Sequence, residues 1–209
     1  TTEIYTLSLH DALPILGFAK LIRREFGRAL DLCQDEVCPV PLEKAERIDK
    51  NLDIIVQESH RLTTMINDVL DLTKIEDGRL EWRDAPLLPE RAVERAVRAA
   101  AGMASEKPGL SLATALAPDL PVISADPDRV HQVLMNLLSN AIKFSESGPV
   151  ILAAAPDGTM VRFSVSDQGM GIPPEDLERI FDKFHQSSHG DILLGKAKGT
   201  GLGLPICKE

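Results

Sequence analysis

The residues best able to do chemistry lie in three stretches of the second half of the chain. In Asp128–Phe144, DRVHQVLMNLLSNAIKF, the side chains of Asn136, Asn140 and Lys143 recur at i, i+4 and i+7. That spacing puts them on one helix face, while Val133, Leu134, Leu137, Leu138 and Ile142 supply the apolar side. Two amides and an ammonium on such a helix are costly to bury without partners. An asparagine carbonyl is a hard oxygen donor suited to Mg2+. Lysine suits phosphate as a point charge. Taken alone, a wet helix face with chance asparagines explains the pattern nearly as well. The second stretch is Asp167-Gln168-Gly169-Met170-Gly171-Ile172, directly after a run that reads as a strand. Its carboxylate could accept a hydrogen bond from the exocyclic amine of adenine. Its two glycines let the backbone approach a ligand closely. By itself this DxGxG pattern also occurs in plain turns. The third is Gly199-Thr200-Gly201-Leu202-Gly203-Leu204, leading into a helix. Glycines ahead of a helix start offer backbone N–H groups and the positive dipole end to a triphosphate. The spacing matches neither a P-loop nor a Rossmann turn. Lys196 and Lys198 add charge nearby.

These stretches need a scaffold, and the apolar periodicity predicts one. Leu16, Ala19, Ile22, Phe26, Ala29 and Leu30 mark an amphipathic helix over about residues 16–32. Pro39 and Pro41 interrupt it. A longer helix is predicted from Leu42 to Glu76, with a stripe at Ile48, Leu52, Ile55, Ser59, Leu62, Ile66 and Val69 that alternates four and three. Asp77-Gly78 ends it. Two helices with a short loop make an antiparallel hairpin. Two wide apolar faces cannot bury themselves in one hairpin, so dimerisation into a four-helix bundle is expected. The alternative is packing against the following domain. Downstream, strands are predicted at 80–87, 110–116 and 121–124, and a hairpin at 150–155 and 160–166 turns at Asp157-Gly158. Helices are predicted at 89–103, from the Asp126-Pro127 start to Phe144, at 173–184, and from near Gly201 onward. Residues 186–199 read as a loop. The fold class expected is α+β: a helical hairpin followed by an α/β sandwich.

The totals narrow the function classes. The chain has 209 residues, enough for one large domain or two small ones. A net charge of −9 argues against a nucleic-acid surface, which would need a basic stripe. It does not forbid a local phosphate site built from backbone and one lysine. Three cysteines, Cys33, Cys38 and Cys207, are too few for a disulfide framework and read as thiols of a reducing cytoplasm. No run approaches the roughly 18 apolar residues of a membrane span. No signal peptide is expected. A membrane anchor is therefore expected only through a region upstream, with the chain itself cytoplasmic and its parent protein a candidate for the inner membrane. Residues 1–15, TTEIYTLSLHDALPI, resemble the translation of a sequencing-library adapter and are read as non-native.

Taken in order, four motifs carry a resemblance. Asn136/Asn140/Lys143/Phe144, then Asp167-x-Gly169-x-Gly171, then Phe181-Asp182-Lys183-Phe184, then Gly199-x-Gly201-x-Gly203 resemble the N, G1, F and G2 boxes of sensor histidine kinases. Val69–Gly78 looks like the end of that family's dimerisation hairpin. The resemblance covers about residues 16–209. It implies a dimerisation and phosphoacceptor hairpin over 16–78 and a Bergerat-type ATP-binding domain over 79–209. It implies an ATP-dependent protein histidine kinase of a two-component phosphorelay, forming a homodimer through the hairpin and passing phosphate to a response regulator receiver domain. By the same token it places Asn140, supported by Asn136, at Mg2+, Lys143 at phosphate, Phe144 against the nucleotide and Asp167 on the adenine amine. Gly199, Gly201 and Gly203 would underlie the lid, and Ile172, Phe184, Thr200 and Leu202 would line the ATP site.

Two departures stand out. The family's phosphoacceptor box runs His, acidic, x, x, Asn or Thr, Pro. Here the candidate is His10-Asp11-Ala12-Leu13-Pro14, where proline falls one place early and Asn or Thr is absent. It also lies about one helical turn too close to Leu16-Gly17-Phe18-Ala19. His10 is thus the acceptor and Asp11 its acidic neighbour only if residues 1–15 are native. Secondly, the chain stops at Lys208-Glu209, where the family continues with a full helix and more strands, so an incomplete C-terminus is expected. His60, His131, His185 and His189 read as surface residues. Three other readings remain: an ATPase of the topoisomerase and mismatch-repair type, a serine kinase of the anti-sigma type, and an inactive nucleotide-binding or dimerising fragment.

Overall fold

The computed structural model describes residues 17, 20–24, 26, 27, 42–185 and 200–208. The chain divides into two compact units, Thr1–Asp71 and Leu72–Glu209. In the first, residues 20–24 are helical, and helix α1 runs over Leu42–Glu76, crossing into the second unit. Arg23 sits 3.7 Å from Asp49 and 2.7 Å from Asp53, which are one turn apart on α1. Two helical segments therefore lie side by side, as a hairpin requires. Leu52 and Ser59 of the apolar stripe are buried, and the Ser59 hydroxyl donates back to Ile55 O at 2.7 Å. Ile48, Ile55 and Leu62 share a row at seven-residue spacing and stay 40%, 46% and 52% exposed within the single chain.

The second unit is an α/β sandwich. Strand β1 (Ala85–Leu87) pairs antiparallel with β3 (Ile123–Ala125), and the main sheet has the order β2-β4-β5. Strand β2 (Leu110–Leu116) runs parallel to β4 (Gly148–Asp157), which turns into antiparallel β5 (Met160–Ser166). Helices α2 (Pro89–Ser105) and α3 (Pro127–Phe144) pack with this sheet. Their core is built from Ala92, Val93, Ala96 and Ala100 of α2, Leu134, Leu138 and Ile142 of α3, and Val150, Leu152 and Ala154 of β4. The strand residues alternate at a period of two, the helical ones at three and four, so one face of each element enters the core. Alanines on α2 let the helices approach closely.

Helices Leu42–Glu76 and Pro127–Phe144 lie where the apolar pattern predicts them. Three segments differ. The expected strand at 80–87 pairs only over Ala85–Leu87, because the Arg83 N–H donates to the Asp126 carboxylate rather than to a ladder. The expected helix at 173–184 is a chain of turns, held mostly by i→i−3 bonds such as Arg179 N to Asp176 O at 2.8 Å. Phe184 leaves helical space at φ +61° to donate its N–H to Gly201 O at 3.0 Å. Helix α4 begins at Gly203 rather than Gly201, whose φ of +70° is left-handed.

Candidate functional site

Helix α3 is the spine of the site. Its start is fixed by Asp126, whose Oδ1 accepts from Asp128 N at 2.9 Å and Arg129 N at 3.3 Å, while Oδ2 takes Arg83 N at 3.0 Å. These backbone donors, first the Arg83 N–H, hold the carboxyl of Asp126 below the usual carboxylate range despite its burial. Leu134, Leu138, Ala141 and Ile142 are buried on one side, and Asn136, Asn140 and Lys143 are half-buried.

Each end of the polar row meets a different loop. At Asn136, Nδ2 donates to Gly203 O at 3.1 Å and approaches Cys207 Sγ at 3.6 Å, tying α3 to helix α4 (Gly203–Lys208). A side chain at position 203 would come within 3.3 Å of the Asn136 amide, so that glycine is part of the contact. At the other end the Lys143 ammonium stands 4.9 Å from the centre of the Phe144 ring, a cation–π distance. The Phe144 carbonyl faces Gly169, where a Cβ would meet that oxygen at 2.7 Å and Asp167 Oδ1 at 2.8 Å. Gly169 N in turn donates to Asp167 Oδ1 at 2.8 Å, which aims an exposed carboxylate off the end of β5. The two loops are thus about 12 Å apart along the helix axis.

The remaining expected residues fall around this spine. Gly171 takes φ +73° with open space beyond its Cα, and Ile172 is 47% exposed beside it. Gly201 is pressed against Phe184, with 3.0 Å from an added Cβ to the Phe184 backbone. Thr200 Oγ1 accepts from Leu202 N at 3.3 Å. Leu202 is fully buried. Phe184 exposes its ring, and His185 Nε2 lies 3.4 Å from Asp176 Oδ1 in a largely buried pair. His10, Asp11 and Gly199 lie outside the described residues. Sequence reasoning missed Lys107, whose ammonium donates to the carbonyls of Ile142, Lys143 and Ser145. No periodic or motif signal links residue 107 to the end of a helix 35 residues on.

The second unit is thus an α/β domain with a glycine turn at each end of one polar row on α3. Comparison with known proteins carries this further. Residues 14–78 match the His Kinase A (phospho-acceptor) domain, and residues 125–209 match the Histidine kinase-, DNA gyrase B-, and HSP90-like ATPase family. The sensor protein TorS of Escherichia coli is 39% identical over 169 residues, covering 79% of this chain. The non-motile and phage-resistance protein of Caulobacter vibrioides is 40% identical over 160 residues, covering 74%. The chain spans 18% of the length of each of these relatives. The crystal structure of full-length ShkA, solved in complex with AMPPNP, is 32% identical with a TM-score of 0.70 and covers 98% of this chain and 39% of that one. The chain belongs to the sensor histidine kinase family and carries that family's two-domain core. Among the described residues no helix is long and apolar enough to cross a membrane.

Proposed function

We propose that this chain binds Mg-ATP and acts as the kinase core of a two-component phosphorelay, moving the γ-phosphate to a histidine and on to the aspartate of a response regulator receiver domain. The observation that carries the reading is the single helix face that joins the Asp167–Gly169 loop to the Gly201–Gly203 turn, with Asn140 and Lys143 between them. Asp167 would accept from the adenine amine, Phe144 would flank the base, and the backbone of Thr200–Gly203 would take the phosphates. Lys143 would offset phosphate charge. Asn140 would hold the metal, a role that fits its half-buried amide on that face, whereas the Asn136 nitrogen is engaged by Gly203 and would position the turn. Mg2+, when bound, would supply further charge compensation as ADP leaves. The exposed row of Ile48, Ile55 and Leu62 supports a homodimer built through the hairpin.

In the transfer step an imidazole nitrogen attacks the γ-phosphorus, the bond from that phosphorus to the ADP oxygen breaks, and the ring proton passes to a neighbouring base. His10 and Asp11 are the candidates for acceptor and base. One observation favours a second reading, a nucleotide-binding core without an acceptor: the phosphoacceptor match begins at residue 14, beyond His10. The test is transfer of radiolabelled γ-phosphate from Mg-ATP to the chain and to His10→Ala. Acid-labile label on the wild type alone makes His10 the acceptor and residues 1–15 genuine. Label on neither, with ATP still bound, establishes the second reading. Failure to bind ATP overturns both. The cytoplasm is the compartment this chemistry requires, because ATP and receiver domains are there.

A further inference from the structure

We propose that Lys107 is a positioning residue for the nucleotide site, holding the C-terminal end of α3 so that the Asp167 loop is correctly aimed. The inference rests on the nucleotide-binding reading above. A helix leaves its last carbonyls without intrahelical donors, and they carry the negative end of the dipole. In α3 Ser145 N still donates to Ala141 O at 3.1 Å, but Ser145 itself turns extended, at φ −94° and ψ 135°, so the helix does not continue to supply donors to the carbonyls after Ala141. An ammonium has three donors. Lys107 gives them to Ile142 O, to Lys143 O at 2.9 Å and to Ser145 O at 2.7 Å. The turn that carries Lys107 is itself pinned to this place. Lys107 N donates to Ala104 O at 3.1 Å, Leu110 N donates to Lys107 O at 3.2 Å, and Gly148 N donates to Gly109 O at 2.9 Å.

The contacts then continue to the site without a gap. The three carbonyls bracket Phe144, whose own carbonyl is the surface on which Gly169 rests, and Gly169 N holds Asp167 Oδ1. Gly148 faces the Gln168 side chain, 2.5 Å from where its Cβ would be, so the same loop touches the motif twice. Freeing the end of α3 therefore moves Phe144, and with it the floor of the Asp167–Gly171 loop. A plain helix cap would affect stability alone. A positioning residue affects stability and nucleotide affinity together.

Lys107→Met, which keeps the aliphatic stem, is compared with Asp126→Ala, which uncaps the opposite end of the same helix. Thermal midpoint, the Kd for ATP, and amide hydrogen exchange are measured on all three proteins. Loss of a charge-assisted bond at a buried carbonyl is on the order of a tenfold effect or more. The expected result is a Kd weakened about tenfold or more in Lys107→Met. Exchange should speed up at residues 143–148 and 167–171 together. Asp126→Ala should lose a comparable midpoint yet keep its Kd within about twofold, because its uncapped turn lies far from Asp167. A Lys107→Met protein that is less stable but binds ATP like wild type overturns the proposal. So does exchange that rises at 143–148 and not at 167–171. If the wild type binds no ATP, the nucleotide reading falls, and the exchange pattern still decides whether Lys107 holds the loop. If Lys107→Met does not fold, Lys107→Gln, which keeps two donors without charge, is measured in its place.

Discussion

The two ends of α3 solve the same problem in different ways. At the N-terminus the orphan N–H groups are met by Asp126, the residue immediately before the helix. At the C-terminus the orphan carbonyls are met by Lys107, reaching in from the turn after α2. A local cap needs nothing from the tertiary fold and is available as soon as the helix forms. A distant cap exists only when α2, β2 and α3 have packed. The second kind therefore couples the helix end to the completed core, and it is the end that carries Lys143, Phe144 and the floor of the Asp167 loop.

The largest effect is expected where the distal end meets that loop. In Gly169→Ala the new methyl would lie 2.7 Å from Phe144 O, a backbone atom, and 2.8 Å from Asp167 Oδ1, the oxygen that Gly169 N holds. Something must shift, at about 1–3 kcal/mol. Because the strain falls on the aiming of Asp167, the Kd for ATP should weaken by about tenfold or more, read by equilibrium binding. A change in stability with unaltered affinity would break the link between this end of the helix and the site. Next comes the proximal end: Asp126→Ala should lose about 1–2 kcal/mol in urea unfolding. The sign with pH follows from the lowered carboxyl of Asp126. The folded chain holds that carboxylate ionised to lower pH than the unfolded chain does. Its stabilisation is present above the unfolded value, near 3.9, and is lost as pH falls through the lower folded value. Wild type and Asp126→Ala should therefore converge in stability in strong acid.

This contrast also explains what the sequence could tell. Asp126-Pro127 reads as a helix start because capping chemistry and a proline at the first helical position are adjacent in the chain. The Asp167–Gly171 and Gly201–Gly203 motifs are legible for the same reason, since their residues act within a few positions of each other. Lys107 is silent in the sequence, because its partners are fixed by packing rather than by spacing. The turns at 173–184 read as a helix, since Phe184 departs only to meet Gly201, a contact that no local pattern announces. Asn136 reads as support for Asn140, and the donation of its amide nitrogen to Gly203 O across the fold is a further contact that no local pattern announces.

A smaller, pH-dependent effect belongs to His131, near the proximal end. Burial first, and then the Arg95 guanidinium, push its imidazole toward the neutral form, while Asp128 pulls the other way. The folded chain thus binds this proton less readily than the unfolded chain. Its contribution is full above about pH 6.5 and is lost as pH falls below that value. Urea unfolding between pH 7.5 and 5.5 should show a loss of stability that His131→Gln reduces.

The smallest change is expected at the exposed pair beside it. Arg95 Nη2 lies 3.0 Å from Asp128 Oδ1, but the two side chains are 51% and 83% exposed, so water and salt screen the attraction. Asp128→Asn should shift unfolding by less than about 0.5 kcal/mol and leave the Kd for ATP unchanged. It should also make His131 slightly harder to protonate, because the Asp128 carboxylate favours its charged form. A stability loss as large as that of Asp126→Ala would mean that the proximal end is held by a surface ion pair as well as by its cap. The two ends of α3 would then differ less in kind than in position.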